Sequence, residues 1–344
     1  MSFERKPPPL IMRYVMGAMM DGVVRPAVWT SEALGITNWL LPRVTSPMRR
    51  RFAKLNPLAN YTPTSHDVFV ATYVKSGTNW MMQIAHQLLN HGAAEFDHIH
   101  SVVPWPDMSE GPMRGYALPI EDDSIWKASP EHKRVIKTHF DWTKVPYSPE
   151  ARYISVIRDP KDVFVSSYHF FIRATIGTTL SVESWLDLFL SEHFPAWGPW
   201  AASTASYWSY RDRPNVLVLS FKSMKHDLRS AVRRVAQLLD VHVSEDVIDR
   251  VCEKSSFDYM HRLDAKFANW KMVPWRGTGA MVRRGAQGGS SELLTPAQQR
   301  RIDDYCRAEL RRLGSDFPYE EFCDVAGDSV PSGSGRLRPE PAKA

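Results

Sequence analysis

Cysteine is scarce in this chain of 344 residues, which contains three: Cys252, Cys306 and Cys323. Their number is odd and they lie far apart, so the sequence predicts no disulfide framework and is typical of a reducing compartment. There is no CxxC pair, and His98 and His100 are expected to be ordinary loop residues because no third metal ligand lies nearby. We therefore expect a cytoplasmic protein without a bound metal.

The sequence also has neither a long uninterrupted apolar run nor a long stretch of like charge. The apolar stretch 10–24 is interrupted by Arg13 and Asp21 and followed by Pro26, so it predicts neither a membrane-spanning helix nor a signal peptide. We expect residues 1–60 to form helices that pack on the rest of the protein, with peripheral membrane contact as a weaker option. Basic residues exceed acidic ones by five but form no long stripe, so nucleic acid is not an expected partner.

The most informative segment is 68–80, which reads VFVATYVKSGTNW. Its β-branched and aromatic residues predict a buried strand, residues 75–79 a glycine-containing turn, and the residues from Trp80 onward a helix. Such a turn directs free backbone N–H groups and the positive helix end towards an anion, and Lys75 adds a full charge. The segment predicts a phosphate-binding loop, but not a Walker A loop, because the early glycine is missing.

A second segment, 153–170, begins with an apolar strand pattern and continues as Arg158-Asp159-Pro160. An Asp-Pro pair is typical of a helix start, with Asp159 as the N-cap and Pro160 in the first turn. Arg158 is then expected at the carboxyl end of a strand, where ligands collect in open parallel sheets. Ser166 follows about two helical turns later. The alternative is that Arg158 only pairs with a nearby aspartate and that Ser166 faces solvent.

A third strand pattern, residues 134–136, is followed by Lys137-Thr138-His139. Residues two apart on an extended chain project to the same face, so Lys137 and His139 are expected together at this strand end. The ordinary pKa of histidine lies near neutrality, which makes His139 a candidate general base. Taken alone, a histidine at the end of a strand is more often structural.

Together these segments resemble the PAPS-dependent sulfotransferase family over roughly residues 67–306. KSGTNW is similar to its 5′-phosphosulfate loop, YPKSGTTW, and RDPKDVFVSSYHF to its 3′-phosphate segment, RNPKDVxVSxYHF. KTHF resembles the tripeptide with the catalytic histidine, and residues 282–288 resemble the RKGxxG loop. Ser255, Phe257 and Met260 echo the adenine-contact pattern TSFxxM.

The resemblance implies one α/β domain with a central, mainly parallel sheet flanked by helices, a P-loop-related fold. It also implies that PAPS (3′-phosphoadenosine 5′-phosphosulfate) donates a sulfonyl group to a hydroxyl, with PAP as product and no metal. His139 would be the general base, while Lys75 and Lys137 would stabilise charge. The residues implied to bind PAPS are Lys75, Ser76, Gly77, Thr78, Asn79, Trp80, Arg158, Ser166, Phe221, Ser255, Phe257, Arg283, Arg284 and Gly285.

Several residues depart from the family pattern. Phe221 stands where the family has a tyrosine near the adenine, so packing is retained and a hydroxyl is lost. Arg284 replaces a lysine and offers a planar fork suited to phosphate. After Gly288 the chain reads Gly-Ser-Ser in place of Asp-Trp-Lys, a change that bears on lid closure and dimerisation. Asn79 and Val74 replace the usual threonine and proline of the first loop.

The acceptor side of the expected site is aromatic. Trp105, Phe140, Tyr168 and His169 are expected acceptor contacts, and an aromatic lining favours a phenol, a sterol-like or a lipid-linked alcohol over a charged sugar polymer. We expect residues 61–324 to form the sulfotransferase domain and residues 325–344, rich in Pro, Gly and Ser, a disordered tail. Whether the protein is a homodimer is left open.

Two alternative functions remain open at this point. One is an ATP-dependent P-loop kinase, which would need a single cationic cluster and usually an acid that binds magnesium. The other is a protein of the same fold that binds nucleotide without catalysis. A second cationic cluster, with Arg158, Arg283 and Arg284, favours a donor that carries an additional 3′-phosphate.

Overall fold

A four-stranded sheet lies at the centre of the computed structural model, which describes residues 3–110, 114–177, 180–194, 197–271, 273–276, 280–282 and 288–325. The strands are Asp67–Ala71 (β1), Arg134–Thr138 (β2), Arg152–Ile157 (β3) and Val216–Ser220 (β4). The helices are Leu10–Met19 (α1), Arg25–Ala33 (α2), Thr37–Lys54 (α3), Thr78–Leu89 (α4), Ser124–Ala128 (α5), Pro160–Ser167 (α6), Val182–Phe189 (α7), Trp200–Trp208 (α8), Phe221–His226 (α9), Leu228–Leu239 (α10), Glu245–Lys254 (α11), Phe257–Arg262 (α12), Pro296–Arg312 (α13) and Tyr319–Phe322 (α14). Two π-helical stretches, Met20–Val24 and Tyr168–Ile176, continue α1 and α6.

The sheet is parallel throughout, with the strand order β2-β1-β3-β4. Asp67 pairs with Arg134 at the start of β1 and β2, and Ala71 pairs with Thr138 at their ends. All four strands therefore deliver their carboxyl ends to the same edge of the sheet. This arrangement confirms the predicted α/β class with a mainly parallel central sheet.

Side-chain alternation along the strands builds a hydrophobic core on each face of the sheet. In β1, Phe69 and Ala71 enter one core, whereas Val68 and Val70 enter the other. The first core includes residues of α6, α7, α8 and α13, and the second includes residues of α4, α10 and α11. Because both faces are covered, the strands read as continuous apolar runs instead of alternating apolar and polar residues.

A buried ionic network anchors the start of α6. The Asp159 side chain accepts a hydrogen bond from the Lys161 backbone N–H at 2.8 Å, which confirms the predicted N-cap. Lys161 Nζ lies 3.1 Å from Asp159 and 2.5 Å from Asp303 on α13. The Tyr319 hydroxyl also donates to Asp303, at 2.7 Å. The C-terminal helices thus hold α6 against the sheet, directly after the strand end that carries Arg158.

The helices of residues 10–54 contact the protein through polar groups as well as apolar ones. On α3, Asn38 donates to Asp187 of α7 at 2.5 Å, and the Ser46 hydroxyl lies 3.0 Å from His193 Nδ1. Within the described ranges, no helix has both the length and the apolar character needed to cross a bilayer. Of the predicted disordered tail, residues 326–344 lie outside the described part of the chain.

The first prediction concerns the buried carboxylate at the beginning of β1. Asp67 is fully buried and accepts hydrogen bonds from Arg134 Nε at 3.0 Å and from the Tyr61 hydroxyl at 2.6 Å. We expect Asp67→Ala to lower the free energy of unfolding by roughly 3–5 kcal/mol, because it leaves the Arg134 charge buried without its partner. Urea unfolding measures this loss.

The matched control is Glu95→Ala, which removes an exposed partner of Lys254 that lies 2.8 Å away. An exposed pair contributes about 1 kcal/mol or less. Similar losses for the two variants would contradict the structural role assigned to Asp67.

Candidate active site

Three strand ends bring the predicted catalytic residues into one region. Lys75 follows β1, Lys137 and His139 lie at the end of β2, and Arg158 follows β3. Arg158 Nη1 donates a hydrogen bond to the Lys75 carbonyl oxygen at 3.1 Å. The positive charge of Lys75 also contributes to lowering the pKa of both Lys137 and His139, behind the larger effect of burial. Arg158, the one described residue of the second predicted cationic patch, therefore lies beside the loop that carries Lys75.

The loop after β1 has the backbone form of an anion cradle. Lys75 has a φ of 65° and Gly77 a φ of 96°, both in the left-handed region that favours glycine. Gly77 is the N-cap of α4, so the first-turn N–H groups of this helix lack intrahelical partners. A Cβ on Gly77 would lie 2.8 Å from Phe221 Cδ2, so this position requires glycine for space as well. The Thr78 hydroxyl is 2.5 Å from that of Thr72, which fixes the start of the helix.

Two buried hydroxyl groups in this region lack a protein partner. Ser76 Oγ in the loop and Ser255 Oγ at the end of α11 have no hydrogen-bond partner among the described residues. Native proteins rarely leave buried polar groups unsatisfied, because each one costs free energy. Their positions fit a ligand that brings oxygen or nitrogen atoms to both places, as a nucleotide does.

The aromatic residues predicted to surround a base pack around the same loop. Trp80 Nε1 donates to the Ser255 carbonyl oxygen at 2.7 Å, and its ring meets that of Phe221 edge-on at 5.4 Å. Phe257 is half-buried on α12, where its ring stacks on His261 at 5.3 Å. Trp80, Phe221 and Ser255 are thus brought together, and Phe257 lies two residues beyond Ser255.

Arg158 forms a local ion pair and also lies beside the loop after β1. Its Nη2 lies 3.5 Å from Asp162, so the local ion pair that was the alternative does form. The guanidinium also lies 4.5 Å from the centre of the Phe221 ring, beside the loop. Ser166 is half-buried in α6. The remaining residues predicted for the second cationic cluster, Arg283, Arg284 and Gly285, lie outside the described part of the chain.

His139 is oriented as a neutral base. Its Nδ1 lies 2.8 Å from the Thr72 carbonyl oxygen, and because that oxygen can only accept, Nδ1 carries the hydrogen. The other ring nitrogen, Nε2, keeps its lone pair and can accept a proton. Burial, followed by the charge of Lys137, holds the His139 pKa well below its usual range, so the ring is neutral at pH 7.

Lys137 is a buried lysine with a lowered proton affinity. Its Nζ lies 3.3 Å from the centre of the Trp105 ring, a favourable position for a cation. Burial lowers the Lys137 pKa to about 7, while the carboxylate of Asp107 acts in the opposite direction. An anionic ligand beside Lys137 would favour its charged form.

Asp107 is a site residue that sequence reasoning missed. The buried carboxylate accepts hydrogen bonds from the His139 backbone N–H at 2.7 Å and from the Thr138 hydroxyl at 2.8 Å. It lies in a short helical turn, Pro106–Met108, two residues after Trp105. Since the contact joins residues about thirty positions apart, no local pattern predicts it. Asp107 holds the Lys-Thr-His segment in place.

The residues expected to contact the acceptor divide into two groups. Trp105 meets the His139 ring edge-on at 5.6 Å, and Phe140 is buried directly after it. Tyr168 and His169 have other partners: the Tyr168 hydroxyl donates to the Leu180 carbonyl oxygen at 2.5 Å, and His169 Nε2 lies 3.1 Å from Glu292.

Trp197 also lies close to His139, with 5.1 Å between the ring centres. Aromatic side chains therefore flank the base on two sides. Trp197 comes from the segment between α7 and α8, so only the tertiary structure connects it with His139.

His98 and His100 lie at a short helical turn between α4 and α5, but their burial was not predicted. Both are buried, and His100 Nε2 lies 3.5 Å from Lys137 Nζ. Burial and the nearby lysine charge hold the His100 pKa well below its usual range, so it can accept from the lysine without adding charge. Across the described part of the chain, no group of three or more His, Cys, Asp or Glu side chains is arranged to hold a metal ion.

Fold and site together define an α/β protein in which a lysine-containing loop at a helix start lies in the same region as a buried lysine and a neutral histidine. Residues 65–314 match the family described as "Sulfotransferase domain". The chain belongs to this sulfotransferase family, and the predicted class of enzyme is confirmed.

Relatives and solved structures agree with this assignment. The chain is 27% identical over 270 residues to sulfotransferase 1C2 of Oryctolagus cuniculus, covering 74% of this chain and 86% of the relative. It is 29% identical over 286 residues to luciferin sulfotransferase of Photinus pyralis, covering 75% of each. Its fold is similar to that of retinol dehydratase in complex with androsterone and inactive cofactor PAP, with a TM-score of 0.65, 21% identity and coverage of 79% and 88% of the two chains.

The second prediction concerns the pH dependence of kcat/KM. On the acidic side, kcat/KM should fall as His139 takes up a proton, at a pH below the usual pKa range of histidine. On the alkaline side, it should fall as Lys137 loses its proton, with a midpoint near pH 7 in the free enzyme. Asp107→Asn removes a charge that raises the Lys137 pKa, so the alkaline limb should move to lower pH.

Initial rates across pH for the wild type and the variant measure this shift. The exposed Asp123→Asn serves as the control, since it removes the same charge from an exposed pair with Lys127 and is not among the groups that shift the Lys137 pKa. An alkaline limb that stays in place in Asp107→Asn would refute the proposed coupling.

Proposed function

We propose that this chain transfers the sulfonyl group of PAPS to a hydroxyl of a small, mostly apolar acceptor, with His139 as general base and no metal. The observation that carries this proposal is the meeting of a cationic loop, a buried lysine and a neutral histidine at the carboxyl ends of β1 and β2. Membership of the sulfotransferase family supports the reaction class.

The roles proposed for the nucleotide-binding residues are those that the family resemblance implies, and several contacts support them. Loop residues 75–79 would hold the 5′-phosphosulfate, since the cradle supplies backbone N–H groups, a lysine and the orphaned Ser76 hydroxyl. Trp80 and Phe221 would pack against the adenine, and Ser255 would bond to it. Arg158 would take the 3′-phosphate. A neighbouring structure of this fold, retinol dehydratase, was crystallised with PAP, which agrees with such a site.

The chemistry proposed for the chain is mainly positioning and charge stabilisation. PAPS supplies the sulfonyl group when it is bound. His139 Nε2 accepts the proton of the acceptor hydroxyl as its oxygen bonds to sulfur and the bond from sulfur to the 5′-phosphate oxygen breaks. Lys75 and Lys137 stabilise the charge that develops on the transferring and leaving oxygens. Asp107 acts indirectly, because it fixes the backbone of His139.

The third prediction separates catalysis from nucleotide binding. His139→Ala should lower kcat by about 10²- to 10⁴-fold, the usual contribution of a general base. PAP affinity, measured by calorimetry, should remain unchanged because His139 does not contact the phosphates in this proposal. Retention of full activity would exclude His139 as the base.

The two alternative functions predict other outcomes for the same measurements. The exposed His242→Ala is the control and should match the wild type. A kinase would consume ATP with magnesium and ignore PAPS. A nucleotide-binding protein without catalysis would bind PAP but show no turnover in any variant.

The fourth prediction concerns the acceptor. Because Trp105 and Trp197 flank His139, a flat or chain-like apolar alcohol suits the site better than a charged sugar. In a screen with radiolabelled sulfonyl donor, we expect phenols, sterols or lipid-linked alcohols to be sulfonated. Trp197→Ala should raise the acceptor KM by about tenfold while leaving PAP affinity intact. Preferred sulfonation of an anionic sugar polymer would refute this acceptor class.

A further inference from the structure

The helix α1 presents an apolar surface to solvent. Ile11 and Val15, one helical turn apart, have 76% and 65% of their surface exposed. The opposite side faces the protein: a Cβ on Gly17 would collide with the Trp275 ring, and Arg13 donates to the Lys271 carbonyl oxygen at 2.7 Å. A surface helix of a globular protein normally has the reverse polarity, with its apolar side inward.

Exposed apolar side chains also occur along α2 and α3. Thirteen of the sixteen large hydrophobic residues that are exposed in the described part of the chain lie within residues 10–48. Outside α1 they are Val23, Trp29, Leu34, Ile36, Trp39, Val44 and Met48. Such a concentration of apolar surface marks an interaction site.

The charges in this region complement an anionic surface. Residues 10–54 contain seven basic and two acidic residues, and this excess of five equals the net charge of the whole chain. Both acidic residues bond towards the rest of the protein, Asp21 to Trp275 Nε1 at 2.8 Å and Glu32 to the Ser181 backbone N–H at 3.3 Å. Arg50 and Arg51 are exposed on α3. The outward charge is therefore positive.

We propose that residues 10–54 form an N-terminal docking surface for a lipid bilayer that contains anionic lipids. The apolar side chains would enter the headgroup region, while the arginines would contact lipid phosphates. Two arginines lie over tryptophan rings, Arg43 at 4.0 Å from Trp39 and Arg25 at 5.3 Å from Trp29. Amphipathic aromatic side chains are typical of this interfacial region.

The N-terminal docking surface adjoins the candidate active site. Phe52 on α3 lies 6.1 Å from Trp197 between ring centres, and Trp197 lies 5.1 Å from His139. A docked protein would thus hold the acceptor side of its site close to the bilayer. The inference itself does not rest on the proposed function, because vesicle binding is measured without turnover.

The test is flotation of the full chain with lipid vesicles. We expect binding to vesicles of phosphatidylcholine with about a third phosphatidylglycerol, weaker binding to phosphatidylcholine alone, and weaker binding at high salt. Ile11→Ser combined with Val15→Ser should lower the partition coefficient by about tenfold or more, because two exposed apolar side chains are lost. Arg50→Ser combined with Arg51→Ser should lower it by roughly tenfold on anionic vesicles and little on neutral ones.

Control variants remove exposed apolar and basic side chains from another surface of the protein. Leu313→Ser deletes an exposed apolar side chain near the end of α13, and Arg300→Ser with Arg311→Ser deletes two exposed charges of α13. These variants should float like the wild type. Circular dichroism verifies that each variant is folded. If a variant is unfolded, the dependence of wild-type flotation on lipid charge and salt tests the proposal instead.

Absence of wild-type binding to anionic vesicles would overturn the proposal, as would equal flotation of the wild type and the Ile11/Val15 variant. A third result would also overturn it: a wild-type dimer in analytical ultracentrifugation that the Ile11/Val15 variant dissociates, with no flotation of either protein. In that case the surface would serve a second copy of the chain.

Discussion

The parallel pairing of β1 with β2 and β3 is the constraint on which the site depends. Lys75, His139 and Arg158 lie far apart in the sequence, and each follows the end of a different strand. Antiparallel pairing of any of these strands would send one of the three groups to the opposite edge of the sheet. The parallel register also brings the Thr72 carbonyl oxygen to His139 Nδ1, so the same pairing that assembles the site selects the histidine tautomer.

Burial is the second physical factor, and it lowers the pKa of both proposed catalytic groups, Lys137 and His139. Removing Lys137 and His139 from water disfavours their charged forms, which leaves the histidine neutral and the lysine near its point of titration. Trp105 and the carboxylate of Asp107 favour the charged form of Lys137 and so oppose part of the effect of burial on its pKa. Burial thus gives one site both a neutral imidazole and a lysine that titrates close to neutrality.

Local patterns were sufficient for the strand ends and the helix starts. The predicted strand before Lys75 and the N-cap at Asp159 depend on residues within a few positions of each other, and both are found in the structure. Contacts between distant segments were not accessible in this way. Asp107 and His100 reach the Lys-Thr-His segment from about thirty to forty positions away, and the Tyr168 hydroxyl bonds to the Leu180 carbonyl oxygen, a contact that no local pattern predicts.

The sequence by itself determined the succession of strands and helices along the chain, the glycine turn after β1 and the family, because these depend on short-range patterns and on motifs in a fixed order. Tertiary structure decided which groups share the pocket, which hydroxyls stay without a partner, and which side of α1 faces solvent. The physical reason is that desolvation and side-chain contacts arise only when the chain is folded. The protonation state and the contacts of a side chain therefore depend on the neighbours that it has in the folded protein.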